Sequence, residues 1–493
     1  MGMTPRRLFL ARVGAALAST VVPYGGTAIH GGLRAAEAQP RSRTGRTLFV
    51  APNGEDGDRP EAGASSKPYA TLPWAFRHAA PGDTILLRGG VYGFSGERSG
   101  WLLAHHGGEQ GRPITIANYP GEVPILDGRA MSPPTGPHEA WASSRTAGGF
   151  PLAIWDASHV TLRGLTIRNG PMGGAVVNGT HHALVIEECV FHENGWLNDE
   201  DGTGLGLYGI GSDNVVRNCD SFGNHGGGLG ATGGNADGFQ IFLHGASTGT
   251  IVTGNRAWRN TDDGFDFFNV VDVHDGSPCL IDGNWSFENG HLPDGSMNPS
   301  DQGNGNGFKL GGRRLGAMGT HGGHTVTRCL AWGNKMNGFD ENGGNTGGVQ
   351  PHTVYNNTSF NNARNLDSVR GELGFAFLFK FNRGTVLRNN IAFATRGRNE
   401  VLVRLATHTH NLRNGAEWDA LDPPIALGPN DFQSLDDTVA RGPRTPDGSL
   451  PSSGFLRLAP GSGLIGRGTS LGLPRTVTVD GGLPDIGAFQ SGR

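Results

Sequence analysis

Four aspartates and one lysine carry the most suggestive chemistry in this 493-residue sequence. Asp262, Asp263 and Asp266 fall within "NTDDGFDFF", and Asp237 stands in a similar "NADGF" one short interval earlier. Like charges repel and raise each other's pKa unless something positive sits among them. A solvated acidic loop is one explanation, because charged side chains are mostly exposed. A metal is the other. Four Asp carboxylates, supplemented by backbone carbonyls and water, meet the roughly six to eight oxygen ligands that Ca²⁺ prefers, and no His/Cys set favours zinc. Lys309 follows in "GNGNGFKLGG", after a Phe in the same frame as the two Asp-Gly-Phe segments. A lone lysine is ordinarily a surface residue, so its meaning depends on whether the fold puts it on the wall that carries the carboxylates.

The positioning elements are legible as a repeat. A short core with an apolar or aromatic residue at its fourth position and Asn at its sixth recurs as "NRAWRN" from Asn255, "NWSFEN" from Asn284, "CLAWGN" from Cys329 and "NTSFNN" from Asn357. Weaker copies are "GLTIRN" from Gly164, "CVFHEN" from Cys189, "CDSFGN" from Cys219 and "NIAFAT" from Asn390. Each follows a β-favouring segment such as "HVTLRG" or "GTIVTG", without a helical segment long enough for a crossover. Strand after strand at a fixed interval is the pattern of a β-solenoid. The first position, read at 164, 189, 219, 255, 284, 329, 357 and 390, becomes a column of small residues inside the coil. Buried Asn amides need partners, and stacked Asn side chains supply them to one another, so this column is structural. In such a stack Asp237 neighbours the Asp262 segment and Lys309 falls on the same wall. Adjacent strand residues point to opposite faces, so Asp262 and Asp263 converge only where Gly264 lets the chain bend.

The 84 glycines and the many Asn-Gly and Gly-Gly steps agree with numerous short strands and turns. With 17% charged residues and a formal net charge of -4, there is no basic excess for nucleic acid and no charged tail. Residues 1–38 read as an export signal, with Arg6 and Arg7 ahead of Leu8, Phe9 and Leu10 in a twin-arginine-like arrangement and a small-residue site before Gln39. This predicts a secreted or periplasmic protein without a membrane span. The four cysteines fit no metal spacing and are expected to be buried free thiols. Residues 39–493 read as one domain: a cap region over 47–92, where Thr71 caps a short helix ahead of the first strand, then the repeat, then an extension from about residue 400 that packs along the outside.

Taken together, "NADGF", "TDDGFD", "NGNGFKLGG", "MNGFDENGG" and "YNNTSFNN" resemble the pectate lyases of polysaccharide lyase family 9. The likeness extends to "KPYATLPWAFRHAAPGDTI" near the N-terminus and to "GFLRLAPGSGLIGRGT" and "PDIGAFQ" near the C-terminus. It implies an all-β fold, a right-handed parallel β-helix with a short N-terminal capping helix. It also implies that Asp237, Asp262, Asp263 and Asp266 bind Ca²⁺ and that Lys309 is the catalytic base. The implied reaction is β-elimination on polygalacturonate or pectin by a monomeric enzyme. Calcium binds a uronate carboxylate, Lys309 removes the neighbouring ring proton, and the C4 oxygen leaves.

Four ionised Asp around one Ca²⁺ leave a net charge of -2, which favours a protonated lysine, so Arg313 and Arg314 are candidates for pKa tuning or for substrate carboxylates. If Lys309 is the base, activity should rise into the alkaline range. Where many relatives carry a basic residue after the first Asp-Gly-Phe, this chain has Ile241 and Phe242, and "GHLPDGSMNPSDQ" is expected to form a loop over the groove. The alternatives are a lyase for another uronate polymer, a polygalacturonase-type hydrolase using paired carboxylates, and a non-catalytic glycan-binding β-helix.

Overall fold

In the computed structural model the chain winds through three parallel sheets, entering each once per coil. It describes residues 45–132, 148–196, 201–226, 234–268, 275–299, 303–312, 320–343, 348–364, 374–395, 401–415, 417–477 and 482–491. One coil reads Thr250–Thr253, Arg256–Trp258 and Phe265–Asp266, and the next reads Cys279–Asp282, Trp285–Phe287 and Phe308–Lys309. The first strand of each coil joins a 12-stranded sheet, and the second and third join two 11-stranded sheets. All ladders between these strands are parallel, which with coiled, helix-free connections makes a right-handed parallel β-helix. Residues Thr44–Arg493 form one compact unit, and the other, Met1–Arg43, lies outside the described residues together with the export signal read there.

The turn from the first sheet to the second is a single left-handed residue, such as Asn218 (φ 54°), Gly254 (φ 65°) or Asn356 (φ 54°). Gly and Asn adopt that conformation most readily, which accounts for their abundance. Directly after it comes the small-residue column. Register places Leu165 opposite Cys189, so Gly164 is the left-handed turn residue (φ 70°) and the weak "GLTIRN" copy was read one position early. From there the column runs through Cys219, Asn255, Asn284, Cys329, Asn357 and Asn390 to Asn411. Asn255 Nδ2 donates to Asn284 Oδ1 at 3.0 Å, Asn357 to Asn390 at 3.0 Å and Asn390 to Asn411 at 2.8 Å. A second ladder, Asn194, Asn224, Asn260, Asn289, Asn334 and Asn362, closes the turn from the second sheet to the third with Nδ2–Oδ1 distances of 2.8–3.0 Å. This ladder is the Asn of the repeat, and it satisfies buried amides from rung to rung. All four cysteines are free and buried.

The third sheet carries the Asp-Gly-Phe segments. Phe239, Phe265, Phe308, Phe339 and Phe377 point inward and stack with ring centroids 4.9 Å apart at every step. Full burial of one such ring contributes about 1.5–3 kcal/mol, so the stack fixes the register of the strands and thereby of the residues beside it. Gly264 serves packing: a Cβ there would lie 2.0 Å from Ser286 Oγ and 2.9 Å from Gly307 O. The chain does bend at Gly264, as expected, and the same residue allows close approach to the coil interior.

Strand Thr47–Val50 precedes the capping helix, Leu72–His78, reversing the expected order at the N-terminus. Thr71 is the N-cap, its Oγ1 accepting from Trp74 N, and Leu72, Ala75 and Phe76 are buried over the end of the coil. At the other end the coils run on to Arg413. Beyond them, Leu427, Phe432, Phe455, Leu458 and Ile486 pack onto Trp285, Phe287, Trp332 and Phe393 of the second sheet. The aromatic position of the repeat therefore faces outward and is covered by the C-terminal extension. Phe222, Trp258, Phe287 and Trp332 form a continuous stack on this face.

Asp220 pins the extension. Its carboxylate accepts from Arg256 (2.9 and 2.8 Å) on the coil and from Arg444 (3.0 and 2.8 Å) on the extension. Burial pushes its pKa up, but the two guanidinia outweigh burial and hold it below the usual carboxylate range. A depressed folded-state pKa gives stability that is present above the unfolded value, about 3.9, and lost as pH falls through the folded one. Asp220→Ala is expected to cost about 3–5 kcal/mol near neutral pH, because two buried guanidinia lose their anion. Urea denaturation checks this: the difference from wild type should hold from about pH 5 to 8 and collapse only below about pH 4.

Candidate active site

The acidic cluster forms where the chain enters the third sheet. Residues 261 and 262 make a bend before strand Phe265–Asp266, so Asp262 and Asp263 escape the alternation a regular strand would impose. Asp263 N donates to Asp237 Oδ1 at 2.9 Å, tying one rung to the previous one. Asp262 Oδ1 accepts from Gly305 N at 3.1 Å and Asp263 Oδ1 from Asn306 N at 2.6 Å, tying it to the next. Carboxylate oxygens of Asp237, Asp262 and Asp263 all lie within 4.8 Å of one another. These three residues are 2, 1 and 0% exposed.

Burial and mutual repulsion drive these acids upward. Asp237 is pushed well above the usual carboxylate range by burial and then by Asp262, Asp266 and Asp263, and Asp262 by burial and then by Asp263. Asp263 is raised by burial, opposed by Lys309 and the Asn306 N–H. Lys309 sits one rung beyond, directly opposite Asp266 in the ladder. Its Nζ donates to Asp266 Oδ2 at 2.9 Å and lies 3.3 Å from Asp263 Oδ2. Burial lowers its pKa, but the four carboxylates outweigh burial and hold it well above the ordinary value. A set of oxygen donors this buried, this close and this repelled suits a hard divalent cation, and the absence of His or Cys from it disfavours a soft one.

The structure brings together all five residues singled out from the sequence, in two roles. Asp237, Asp262 and Asp263 form the tight group, whereas Asp266 pairs with the lysine. Arg313 and Arg314 lie outside the described residues, as does part of the expected groove loop.

The sequence profile of the Pel9A-like right-handed β-helix region matches residues 48–390. This chain belongs to that family of polysaccharide lyases. It is 32% identical over 451 residues to a pectate lyase L of Dickeya chrysanthemi, covering 91% of each chain, and 30% identical over 432 residues to pectate lyase PEL9 of Emericella nidulans, covering 84% of this chain and 92% of that one. The crystal structure of pectate lyase Pel9A superposes with a TM-score of 0.65 at 30% identity, over 91% of this chain and 96% of that one.

In this family member, sequence reasoning missed the polar frame around the lysine. Asp237, Asp263, Asn306 and Asn337 occupy one position on successive rungs, each accepting from a backbone N–H of the next: Asn306 Oδ1 from Asn337 N at 3.1 Å and Asn337 Oδ1 from Phe375 N at 2.7 Å. Three residues along each rung stand Gln240, Asp266, Lys309 and Asp340, also in register. Gln240 Nε2 donates to Asp237 Oδ2 at 2.7 Å, and Asn337 Nδ2 donates to Asp340 Oδ2 at 2.9 Å. Lys309 thus stands between two carboxylates, Asp266 before it and Asp340 after it. Burial pushes Asp340 up to about 6. The signal was present in "MNGFDENGG", where Asp340 follows Asn-Gly-Phe in the frame in which Lys309 follows its own. Ile241 is turned into the core, and Phe242 faces outward.

Proposed function

We propose that this polysaccharide lyase is a calcium-dependent pectate lyase that cleaves polygalacturonate by β-elimination, with Lys309 as the base. The convergence of three buried carboxylates with Lys309 on the adjoining rung carries the reading. Asp237, Asp262 and Asp263, with Asp266 beside them, would hold the Ca²⁺. Bound there, the cation would neutralise a substrate carboxylate and stabilise the charge that develops on the carbon α to it.

Lys309 contributes position. Its side chain is 13% exposed, and its Nζ lies 2.9 Å from Asp266 Oδ2 and 3.3 Å from Asp263 Oδ2. Asp266 fixes Nζ by a direct hydrogen bond, holding the amine in one place from which it would take a ring proton. As an amine it must be neutral to accept that proton. The same carboxylates that orient it favour its charged form, and neutralising them leaves burial, which favours the neutral amine. The electron pair released at the α-carbon forms the C4–C5 double bond as the C4–O bond breaks; the departing oxygen keeps that bond's electrons and takes up a proton in place of the one removed, so no water is consumed. An exported location, which the signal read at residues 1–38 would provide, suits a polymeric substrate. Among the described residues no helix is long and apolar enough to cross a membrane.

The test is polygalacturonate cleavage followed by ultraviolet absorbance and by reducing ends. Both should rise together with calcium, stop on adding EDTA and resume on restoring calcium. Reducing ends that appear without absorbance would indicate hydrolysis and overturn the proposal.

A further inference from the structure

Three aromatic rings run along the outer face of the third sheet toward Lys309. Tyr208 and Phe242 stand opposite each other on adjoining rungs and stack with centroids 5.3 Å apart at 23°. Phe268, one rung further, meets Phe242 at 6.4 Å and 63°, and Lys309 Nζ lies 5.4 Å from the Phe268 ring centroid. All three are half-buried, so each keeps part of its surface open. Tyr208 is held flat: a Cβ on Gly206 would lie 2.5 Å from its Cζ, and its hydroxyl donates to Gln240 Oε1, whose amide in turn donates to Asp237. The first ring of the strip is therefore anchored to the acidic cluster and preorganised.

The strands carrying the first two rings supply no cation, and Lys309 stands at the far end beside Phe268. Strands Asp201–Ser212, Asn235–Leu243 and Phe265–Asp266 contain no Lys or Arg, while Asp237 and Asp266 lie beside the rings. An aromatic face presents negative charge density, and a carboxylate set against it without a cation loses hydration with no compensation. The C–H face of an uncharged sugar ring meets neither penalty. Rungs lie about 4.8 Å apart, close to the advance of one sugar along a glycan. We propose that the strip Tyr208–Phe242–Phe268 is a subsite for a pyranose carrying no charge, either a methyl-esterified uronate or a neutral sugar, covalently continuous with the uronate at Lys309. This deepens the lyase reading and rests on it.

Three substrates separate the cases: polygalacturonate, its methyl-esterified form, and a polymer in which uronates alternate with neutral sugars. With the calcium-loaded mature protein, kcat/KM on one of the latter two should exceed that on polygalacturonate by about fivefold or more, and whichever leads identifies the source of the uncharged ring. Phe242→Leu should remove most of that preference through KM, and Phe242→Arg should reverse it. A wild-type preference for polygalacturonate, with ratios unchanged in both variants, would overturn the subsite. If no polymer is eliminated, the lyase reading fails, and calorimetric titration still decides the strip. Uncharged oligosaccharides binding wild type but not Phe242→Leu would support it, and equal binding would overturn it.

Discussion

Lys309→Ala is expected to lower kcat for elimination by about 10²–10⁴-fold, the range a positioned proton acceptor contributes, while leaving a folded protein that takes up calcium. The second half of that expectation separates a base from a structural lysine. Lys309 is the cation paired with the buried carboxylates, at 2.9 Å from Asp266 and 3.3 Å from Asp263. Removing it without calcium leaves buried negative charge uncompensated, an effect of about 3–5 kcal/mol for a broken buried pair. With calcium present the cation takes over that compensation. The variant should therefore melt well below wild type in EDTA and close to it in calcium, while remaining inactive in both. A variant that regains wild-type turnover when calcium restores its melting temperature would show that the lysine only braces the site, and the base would have to be sought elsewhere.

How far the sequence revealed this site depends on what its spacing encodes. A β-helix converts sequence interval into spatial adjacency, so the frame shared by "NADGF", "TDDGF" and "NGNGF" was enough to bring Asp237, Asp262, Asp263, Asp266 and Lys309 together. Interval alone does not assign the face of a side chain. The repeat's aromatic, read as part of the coil, points outward beneath the C-terminal extension because register alternates strictly along each short strand. Gly164 and Leu165 were exchanged because a left-handed Gly and a small column residue look alike in a weak copy of the repeat. Gly264 does bend the chain, but the second demand for glycine there comes from Ser286 on the next coil, a contact invisible in any local window. Asp340 escaped because a single Asp in a Gly/Asn-rich stretch is unremarkable until Lys309 is known to lie opposite it.

Asp263→Asn should raise the stability of the cation-free protein while weakening calcium binding by at least about 100-fold. The ladder itself supplies the control. Asn306 and Asn337 occupy the same position on the two following rungs, and each uses its Oδ1 to accept a backbone N–H of the next rung, as Asp263 does from Asn306. An amide is thus compatible with the backbone at this position, so the substitution keeps the inter-rung hydrogen bond while removing the charge and the acceptor that faces Lys309 Nζ at 3.3 Å. Two like charges about 4 Å apart repel by roughly 4 kcal/mol at an effective dielectric constant near 20, partly offset here by Lys309. A net gain on the order of 2 kcal/mol, or about 2 °C in Tm for a unit of this size, is expected in EDTA. In calcium the ranking should invert. Wild type gains about 2.7 kcal/mol at a calcium concentration 100 times its Kd, and the variant gains almost nothing at that concentration. Thermal unfolding of both proteins across a calcium titration therefore predicts two crossing lines. Lines that run parallel would mean that Asp263 is held in the cluster for packing alone, and that the carboxylates are not gathered for a cation.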